Sequence, residues 1–136
     1  MPVDHIVVAP AGVFVVDAKD YAGLIRIRDV GGFFKTDKRL YVGHRDCSEL
    51  ADNMGRQVDA VERALQSVPV DPMPPITPVL CFVDGEWPLF SPPDSYRGVR
   101  LEGASSIQKL VTSSRALDDS DIQRLASLLS TAFPPK

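Results

Sequence analysis

Residues 13–19 read VFVVDAK, an apolar, largely β-branched run that is followed by an acidic, a small and a basic residue. A continuous apolar run of this kind predicts a strand buried on both faces, which requires helices to cover part of the sheet. Because side chains two positions apart in a strand point to the same face, the Asp17 carboxylate and the Lys19 ammonium should stand side by side. The stretch therefore predicts a charged pair at the end of a core strand.

A second apolar run, at residues 6–8, precedes this strand and predicts a partner strand, also buried on both faces, joined to it by a tight turn. Counted outward from the turn, Asp4 and Asp17 lie at nearly equal distances, so two carboxylates and Lys19 should converge on one edge. Carboxylate oxygens hold Mg²⁺, and an adjacent ammonium neutralises charge that develops on phosphoryl oxygens. This pattern indicates metal-assisted chemistry on phosphate, although an ordinary ion pair between Asp17 and Lys19 also fits the spacing.

Residues 23–45, termed the basic hairpin below, combine a predicted β-hairpin with an excess of positive charge. Residues 23–28 alternate apolar and basic side chains, a turn follows at residues 30–32, and the return strand is predicted to begin at Phe33. Counted from Lys19 to the end of this region, there are seven basic and three acidic side chains, although the whole chain has a formal net charge of -3. A solvated surface and a nucleic-acid-binding surface both fit this pattern. The residues that would contact nucleic acid in the second case are Arg26, Arg28, Lys38 and Arg39.

The rest of the chain predicts one long helix, two further strands and two closing helices. Apolar residues at three- and four-residue intervals mark a helix from Ser48 to Gln66, with Ser48 as a candidate N-cap. The apolar run at residues 79–83 predicts a buried strand between proline-bounded loops. A short strand around residues 99–101 and two helices, at about residues 105–111 and after Asp118 or Asp119, close the chain.

Length and composition fit a single α/β domain over residues 1–136, since 44% of the residues are hydrophobic and 24% are charged. No apolar run approaches the ~20 residues that cross a bilayer and no signal-peptide pattern is evident, so we expect a cytoplasmic protein that does not bind membranes. Cys47 and Cys81 are expected to be free thiols. A zinc half-site at His44 and Cys47 lacks a clear second pair of ligands.

The sequence resembles the nuclease-related domain (NERD) family, a branch of the PD-(D/E)xK nuclease superfamily. The resemblance is carried by DHIVV at residues 4–8, by GVFVVDAKDY at residues 12–21 with Gly23, and by NMGRQV at residues 53–58. It implies a restriction-endonuclease-like fold, in which helices flank a mixed β-sheet. It also implies a Mg²⁺- or Mn²⁺-dependent endo- or exodeoxyribonuclease that hydrolyses DNA phosphodiester bonds.

The resemblance further implies roles for individual residues. Asp4 and Asp17 would be metal-binding carboxylates, with the Ala18 carbonyl as a third ligand, and Lys19 would stabilise the transition state and position water. Gln57 would lie near the site and contact substrate or water, although an ordinary exposed glutamine fits the pattern equally well. Two other hypotheses remain: a noncatalytic module that binds nucleic acid or protein through the basic hairpin, and a purely structural domain.

The start of the chain departs from the family pattern. The superfamily normally supplies a helix with a further acidic residue, and a strand, ahead of the position that Asp4 matches, whereas only residues 1–3 precede it here. We therefore expect either an N-terminally incomplete form of a longer protein or a degenerate member without cleavage activity. A sheet surface left uncovered by the missing helix would favour a homodimer or a partner chain.

Overall fold

The computed structural model describes residues 5–67 and 73–134, which fold into a mixed α/β architecture with two mixed sheets. The strands are β1 (His5–Ala9), β2 (Gly12–Lys19), β3 (Gly23–Asp29), β4 (Lys38–Val42), β5 (Arg45–Asp46), β6 (Ile76–Phe82), β7 (Gly85–Glu86), β8 (Ser95–Tyr96) and β9 (Val99–Glu102). The helices are α1 (Ser48–Gln66), α2 (Ser106–Val111) and α3 (Asp119–Ala132). One sheet has the order β1-β2-β6-β9-β8 and the other has the order β5-β4-β3-β7. The predicted α/β class is confirmed.

Strand β2 lies inside the five-stranded sheet, antiparallel to β1 and parallel to β6. Its residues 12–17 are all buried, as the continuous apolar run predicts. In β1, by contrast, exposed and partly buried residues alternate, so the prediction that this strand is buried on both faces was wrong. The reason is position, because β1 is the outermost strand of the order and one of its faces is only partly covered.

Helices cover both faces of β2, as the sequence predicted. Val13 and Val15 belong to the larger apolar cluster, which also contains side chains of α1 and α3. Phe14 and Val16 face the opposite side, where side chains of α2 pack against a second, smaller cluster. Each such buried side chain contributes about 1.5–3 kcal/mol of transfer free energy. Two apolar layers therefore fix the strand whose end carries Asp17 and Lys19.

The predicted basic hairpin forms from β3 and β4, and the alternation of its side chains leaves one face buried and the other half-exposed. Ile25 and Leu40 face the larger cluster and are fully buried. The return strand begins at Lys38, however, and not at Phe33, which lies in an exposed turn. The Asp29 carboxylate explains the difference, because its Oδ1 accepts hydrogen bonds from the amides of residues 31 and 37 and so closes a longer loop than the one predicted.

Helix α1 spans the predicted residues, but Ser48 is not its N-cap. The N-cap position is Cys47, and the Ser48 hydroxyl instead accepts a hydrogen bond of 3.0 Å from the buried Leu40 amide. The Ser48 amide donates to Asp46 Oδ1 at 2.9 Å, so Asp46 supplies the oxygen at this helix start. Ser48 thereby ties α1 to β4.

The strands around residues 79–83 and 99–101 and the two closing helices are confirmed by β6, β9, α2 and α3. Asp118 caps α3 through a capping box with Asp121, whose amide donates to Asp118 Oδ1 at 2.8 Å. Within the described ranges, no helix combines the length and apolar character required to cross a bilayer.

Candidate functional site

The candidate site lies at the carboxyl end of β2, where β2, β6 and β9 run parallel to one another. Parallel strands of an open α/β sheet end on the same edge, and ligands of such sheets bind outside that edge. The last described pair of the β2–β6 ladder joins Lys19 to Phe82, and the Val83 amide then donates a hydrogen bond of 2.9 Å to the Lys19 carbonyl. The backbone that carries the site is thus part of the sheet framework.

Asp17 and Lys19 stand side by side, as the strand period predicts. Lys19 Nζ lies 3.4 Å from Asp17 Oδ1, and the side chains are 32% and 9% exposed, respectively. Both continue the series of alternate positions that begins with Val13 and Val15, so they lie on the face that α1 covers. A largely buried carboxylate therefore lies beside a lysine that solvent reaches, at the end of a rigid strand.

Gln57 is buried, with 8% exposure, so the interpretation as an ordinary exposed glutamine was wrong. It lies in the buried stripe of α1 with Met54 and Val61, which join the larger cluster over β2 and β6. The amide therefore lies on the same side of the five-stranded sheet as Asp17 and Lys19. A buried amide requires hydrogen-bond partners, which makes Gln57 a positioned polar group of this face.

Of the other two predicted metal ligands, the structure describes Ala18 but not Asp4. Ala18 pairs with Cys81 in the β2–β6 ladder, and its side chain is exposed at the strand end. Asp4 lies outside the described residues, so its part in the site stays a prediction. The described β1–β2 register begins with His5, which pairs with Val16.

The basic hairpin brings three of its four predicted residues onto one outward face. Arg26 and Arg28 hold their guanidinium carbons 5.9 and 5.7 Å from the centre of the Tyr41 ring. Arg39 pairs across the strands with Arg28, whereas Lys38 follows the opposite alternation and is exposed at the strand end. The structure thus places the three arginines on the same face as the Tyr41 ring, which Arg26 and Arg28 contact, and separates Lys38 from them.

The charge of Arg39 is offset by two carboxylates. Its Nε lies 3.3 Å from Asp37 Oδ1, and its Nη1 lies 3.6 Å from Asp46 Oδ2. The proximity of Asp37, and secondly of Asp46, raises the pKa of Arg39 above its usual value. The positive charge of Arg39 is therefore partly offset by two carboxylates within the protein.

One contact beside the site was not predicted. The Arg45 guanidinium carbon lies 4.0 Å from the centre of the Tyr21 ring, which is a cation–π arrangement. Tyr21 follows Lys19 by two positions, so the contact adds a second cation near the end of β2. The tyrosine already stands in the GVFVVDAKDY block, but no sequence spacing relates it to Arg45, which reaches it from β5 after the chain has folded back through β3 and β4.

A second ion pair, with a buried carboxylate and a solvent-exposed arginine, belongs to the other face of the sheet. Glu102 is 5% exposed, and its Oε1 accepts a 2.8 Å hydrogen bond from Arg100 Nη2. Both residues alternate with Leu101, which faces the larger cluster, so they point away from Asp17. The pair is therefore separate from the candidate site.

Cys47 and Cys81 are free and buried, as predicted. Burial raises the pKa of both thiols, and the nearby Glu102 raises that of Cys81 further. Within residues 5–67 and 73–134, no group of three or more His, Cys, Asp or Glu side chains could hold a metal ion. The zinc half-site at His44 and Cys47 consequently finds no further ligands in this part of the chain.

Comparison with known protein families gives a match over the first part of the chain. The sequence model of the family described as "Nuclease-related domain" matches residues 1–83, which is more than half of the chain. Neither the curated proteins nor the solved structures gave a significant match. The matched part contains Asp17, Lys19, Gln57 and the basic hairpin, and the two mixed sheets with their flanking helices are consistent with the restriction-endonuclease-like fold that such a match implies.

Proposed function

This chain belongs to the nuclease-related domain family, and from that premise we propose that it is a Mg²⁺- or Mn²⁺-dependent nuclease that hydrolyses DNA phosphodiester bonds. The observation that carries the proposal is the Asp17–Lys19 pair, 3.4 Å apart at the carboxyl end of β2. Phosphodiester cleavage needs both an acidic metal ligand and a cation, and this pair supplies one of each.

The donor set fits a hard divalent cation. Asp17 supplies carboxylate oxygens and Ala18 a backbone carbonyl, both of the oxygen type that Mg²⁺ and Mn²⁺ prefer, and Asp4 would add a second carboxylate. When bound, the metal would lower the pKa of water and offset phosphate charge. Magnesium normally keeps several waters and uses only one or two carboxylates, so a site with few protein ligands is in keeping with its chemistry.

Lys19 would act on the phosphate itself. Its ammonium is already paired with Asp17 on one side, and its 32% exposure leaves the group within reach of a substrate. In the reaction it would donate hydrogen bonds to the phosphoryl oxygens as their negative charge grows, and it would orient the attacking water. Gln57, buried on the same face, would be a positioning residue that donates or accepts a hydrogen bond to substrate or water.

The test is cleavage of labelled single- and double-stranded DNA by the purified chain with Mg²⁺, with Mn²⁺ and with EDTA. We expect metal-dependent cleavage that Lys19→Ala lowers by about 100-fold or more, the usual effect of removing one preorganised donor to transition-state charge. Lys109→Ala is the matched control, because it removes the same charge from α2, on the other face of the sheet. Cleavage that survives Lys19→Ala unchanged, or no cleavage with either metal, would overturn the proposal.

A second candidate function is a noncatalytic module that binds nucleic acid through the basic hairpin. The grouping of Arg26, Arg28 and Arg39 on one outward face favours it, since phosphate contacts from arginine supply most nonspecific affinity. The two candidates differ in one result, because a noncatalytic module binds DNA without cleaving it under any metal condition.

A further inference from the structure

The tip of the basic hairpin, residues 30–36, presents two aromatic rings to solvent. Phe33 and Phe34 are fully exposed. Their ring centres lie 6.4 Å apart with an angle of 45° between the planes. Exposed phenylalanines are unfavourable in water, so two adjacent ones with no apolar cover are more typical of a binding element than of a passive turn.

The tip is held in shape at its base. Asp29 Oδ1 accepts hydrogen bonds of 2.9 Å from both the Gly31 and Asp37 amides, and the Val30 amide donates to the Asp37 carbonyl at 2.8 Å. The hydrogen bonds from the Asp37 and Gly31 amides hold the pKa of the Asp29 carboxyl below its usual value, so the group stays ionised as an acceptor. A loop ordered in this way presents its rings at a reduced entropic cost of binding.

The tip differs in local charge from another exposed apolar pair, Leu89 and Phe90. Leu89 and Phe90 are also exposed, at 94% and 88%, but their segment, residues 84–94, carries three acidic residues and no basic one. The phenylalanine tip instead contains Lys35 and stands on strands that carry the hairpin arginines. The two acidic residues at its base are already engaged, Asp29 in the hydrogen bonds of the loop and Asp37 in the ion pair with Arg39. Aromatic rings beside positive charge are the combination that binds single-stranded nucleic acid, where rings stack on bases and cations contact phosphates.

We propose that Phe33 and Phe34 form a base-stacking contact for unpaired nucleotides, which gives the proposed nuclease a preference for DNA with a single-stranded segment. In choosing DNA as the ligand, this inference rests on the proposed function. Strand β3 has seven residues and so spans roughly 20 Å between the tip and the end near Gly23. The tip would therefore hold bases several nucleotides away from the Asp17–Lys19 pair while the outward arginines contact the phosphates between.

The test measures binding without cleavage, by fluorescence anisotropy in EDTA, with a labelled single-stranded oligonucleotide and with the same strand made abasic over a central segment. We expect the double variant Phe33→Ala/Phe34→Ala to bind the intact strand at least about fivefold more weakly than the wild type, the lower bound for losing one stacked base. Its affinity for the abasic strand should not change, because that strand offers phosphates but no bases there. The double variant Leu89→Ala/Phe90→Ala is the control and should bind both strands as the wild type does.

Several outcomes would overturn the inference, and they differ from failure of the proposed function. Equal loss of affinity for intact and abasic strands would mean that the rings do not stack on bases. No change for either strand, together with lost binding to phosphatidylserine vesicles, would identify the tip as a membrane contact. If the wild type cleaves DNA but the tip variant binds normally, only the tip assignment fails. If the tip variant binds weakly but no condition gives cleavage, only the nuclease proposal fails.

Discussion

The Val83 amide donates a hydrogen bond of 2.9 Å to the Lys19 carbonyl, one residue beyond the last pair of the β2–β6 ladder. This bond continues the pairing to the end of the strand that carries the candidate site. The backbone at residues 17–19 is therefore fixed by the sheet and not by the two charged side chains. Substitutions of Asp17 and Lys19 should change the chemistry of the site while leaving its framework in place.

The first prediction separates the roles of these two residues. Asp17→Asn should abolish Mn²⁺ and Mg²⁺ binding, because an amide has the shape of the carboxylate but not its charge. Lys19→Ala should retain metal binding while turnover is lost, since the ammonium acts on phosphate and not on the metal. Isothermal titration of both variants and the wild type with Mg²⁺ and Mn²⁺ measures metal binding, and DNA cleavage assays measure turnover. Wild-type metal affinity in Asp17→Asn would show that Asp17 is not a ligand.

A second prediction concerns Gly23, at the start of β3. Its φ of +134° is a conformation that favours glycine, and an added Cβ would lie 2.7 Å from both Cα and N of Gly43. Gly23→Ala should lower the free energy of unfolding by about 1–3 kcal/mol, because the backbone at Gly43 would have to move away from the new Cβ. Gly55→Ala, within α1 and with no atom within 4 Å of the new Cβ, should raise it by about 0.5–1 kcal/mol.

Urea denaturation measures the free energy of unfolding of both glycine variants. Because the expected changes have opposite signs, a general effect of replacing glycine by alanine would not produce them. Equal effects in the same direction would show that the Gly23–Gly43 approach does not constrain the fold. The close approach of Gly23 and Gly43 also concerns the candidate site, because Gly23 begins the basic hairpin four residues after Lys19, at the end of β2.

The sequence predicted those parts of the fold that local pattern determines. The apolar run at residues 13–16 required a buried strand with helices on both faces, and the spacing of apolar residues defined α1 to the residue. The side-by-side placement of Asp17 and Lys19 followed from the strand period alone. Each of these features depends on neighbours along the chain, which is why no tertiary information was needed.

Two errors, at the helix start and at the return strand, and one contact that was not predicted concern features that depend on other parts of the chain. The hydroxyl of Ser48 bonds to Leu40 on another element, and a sequence window around the helix start does not contain that partner. The return strand starts late because one carboxylate, Asp29, closes the loop across eight positions. The Arg45–Tyr21 contact likewise depends on how the hairpin folds back. Two hydrogen bonds and one cation–π contact determine these three features, and the local secondary-structure propensity of the residues does not.

The Ser48 hydroxyl supports the third prediction. It accepts the buried Leu40 amide at 3.0 Å, so Ser48→Ala leaves a buried donor without its partner and should cost about 1–3 kcal/mol of stability. Ser113→Ala is the control, because the Ser113 hydroxyl bonds to the Leu110 carbonyl at an exposed position and its loss should change stability by no more than about 0.5 kcal/mol. Chemical denaturation measures both, and similar losses would show that the α1–β4 link contributes little.

The fourth prediction is a pH dependence at the start of α1. Hydrogen bonds from Ser48 lower the pKa of Asp46 from the ordinary value of 3.8. A carboxyl whose pKa is lower in the folded state stabilises the fold above its unfolded pKa, and that contribution is lost as pH falls through the folded pKa. Asp46→Asn keeps an acceptor oxygen but does not titrate. The loss of urea resistance between pH 7 and pH 3 should therefore be smaller in Asp46→Asn than in the wild type, and an equal loss would contradict this account.

The last prediction distinguishes the arginines of the basic hairpin by their partners. Arg39 lies 3.3 Å from Asp37 and 3.6 Å from Asp46, whereas Arg28 faces the Tyr41 ring and is exposed. If the hairpin contacts phosphates, Arg28→Gln should reduce the slope of log affinity against log salt by about one. Arg39→Gln should reduce it by less, because part of its charge is already offset within the protein. Anisotropy titrations with duplex DNA over a salt series measure the slopes, and equal reductions would mean that the two ion pairs open when DNA binds.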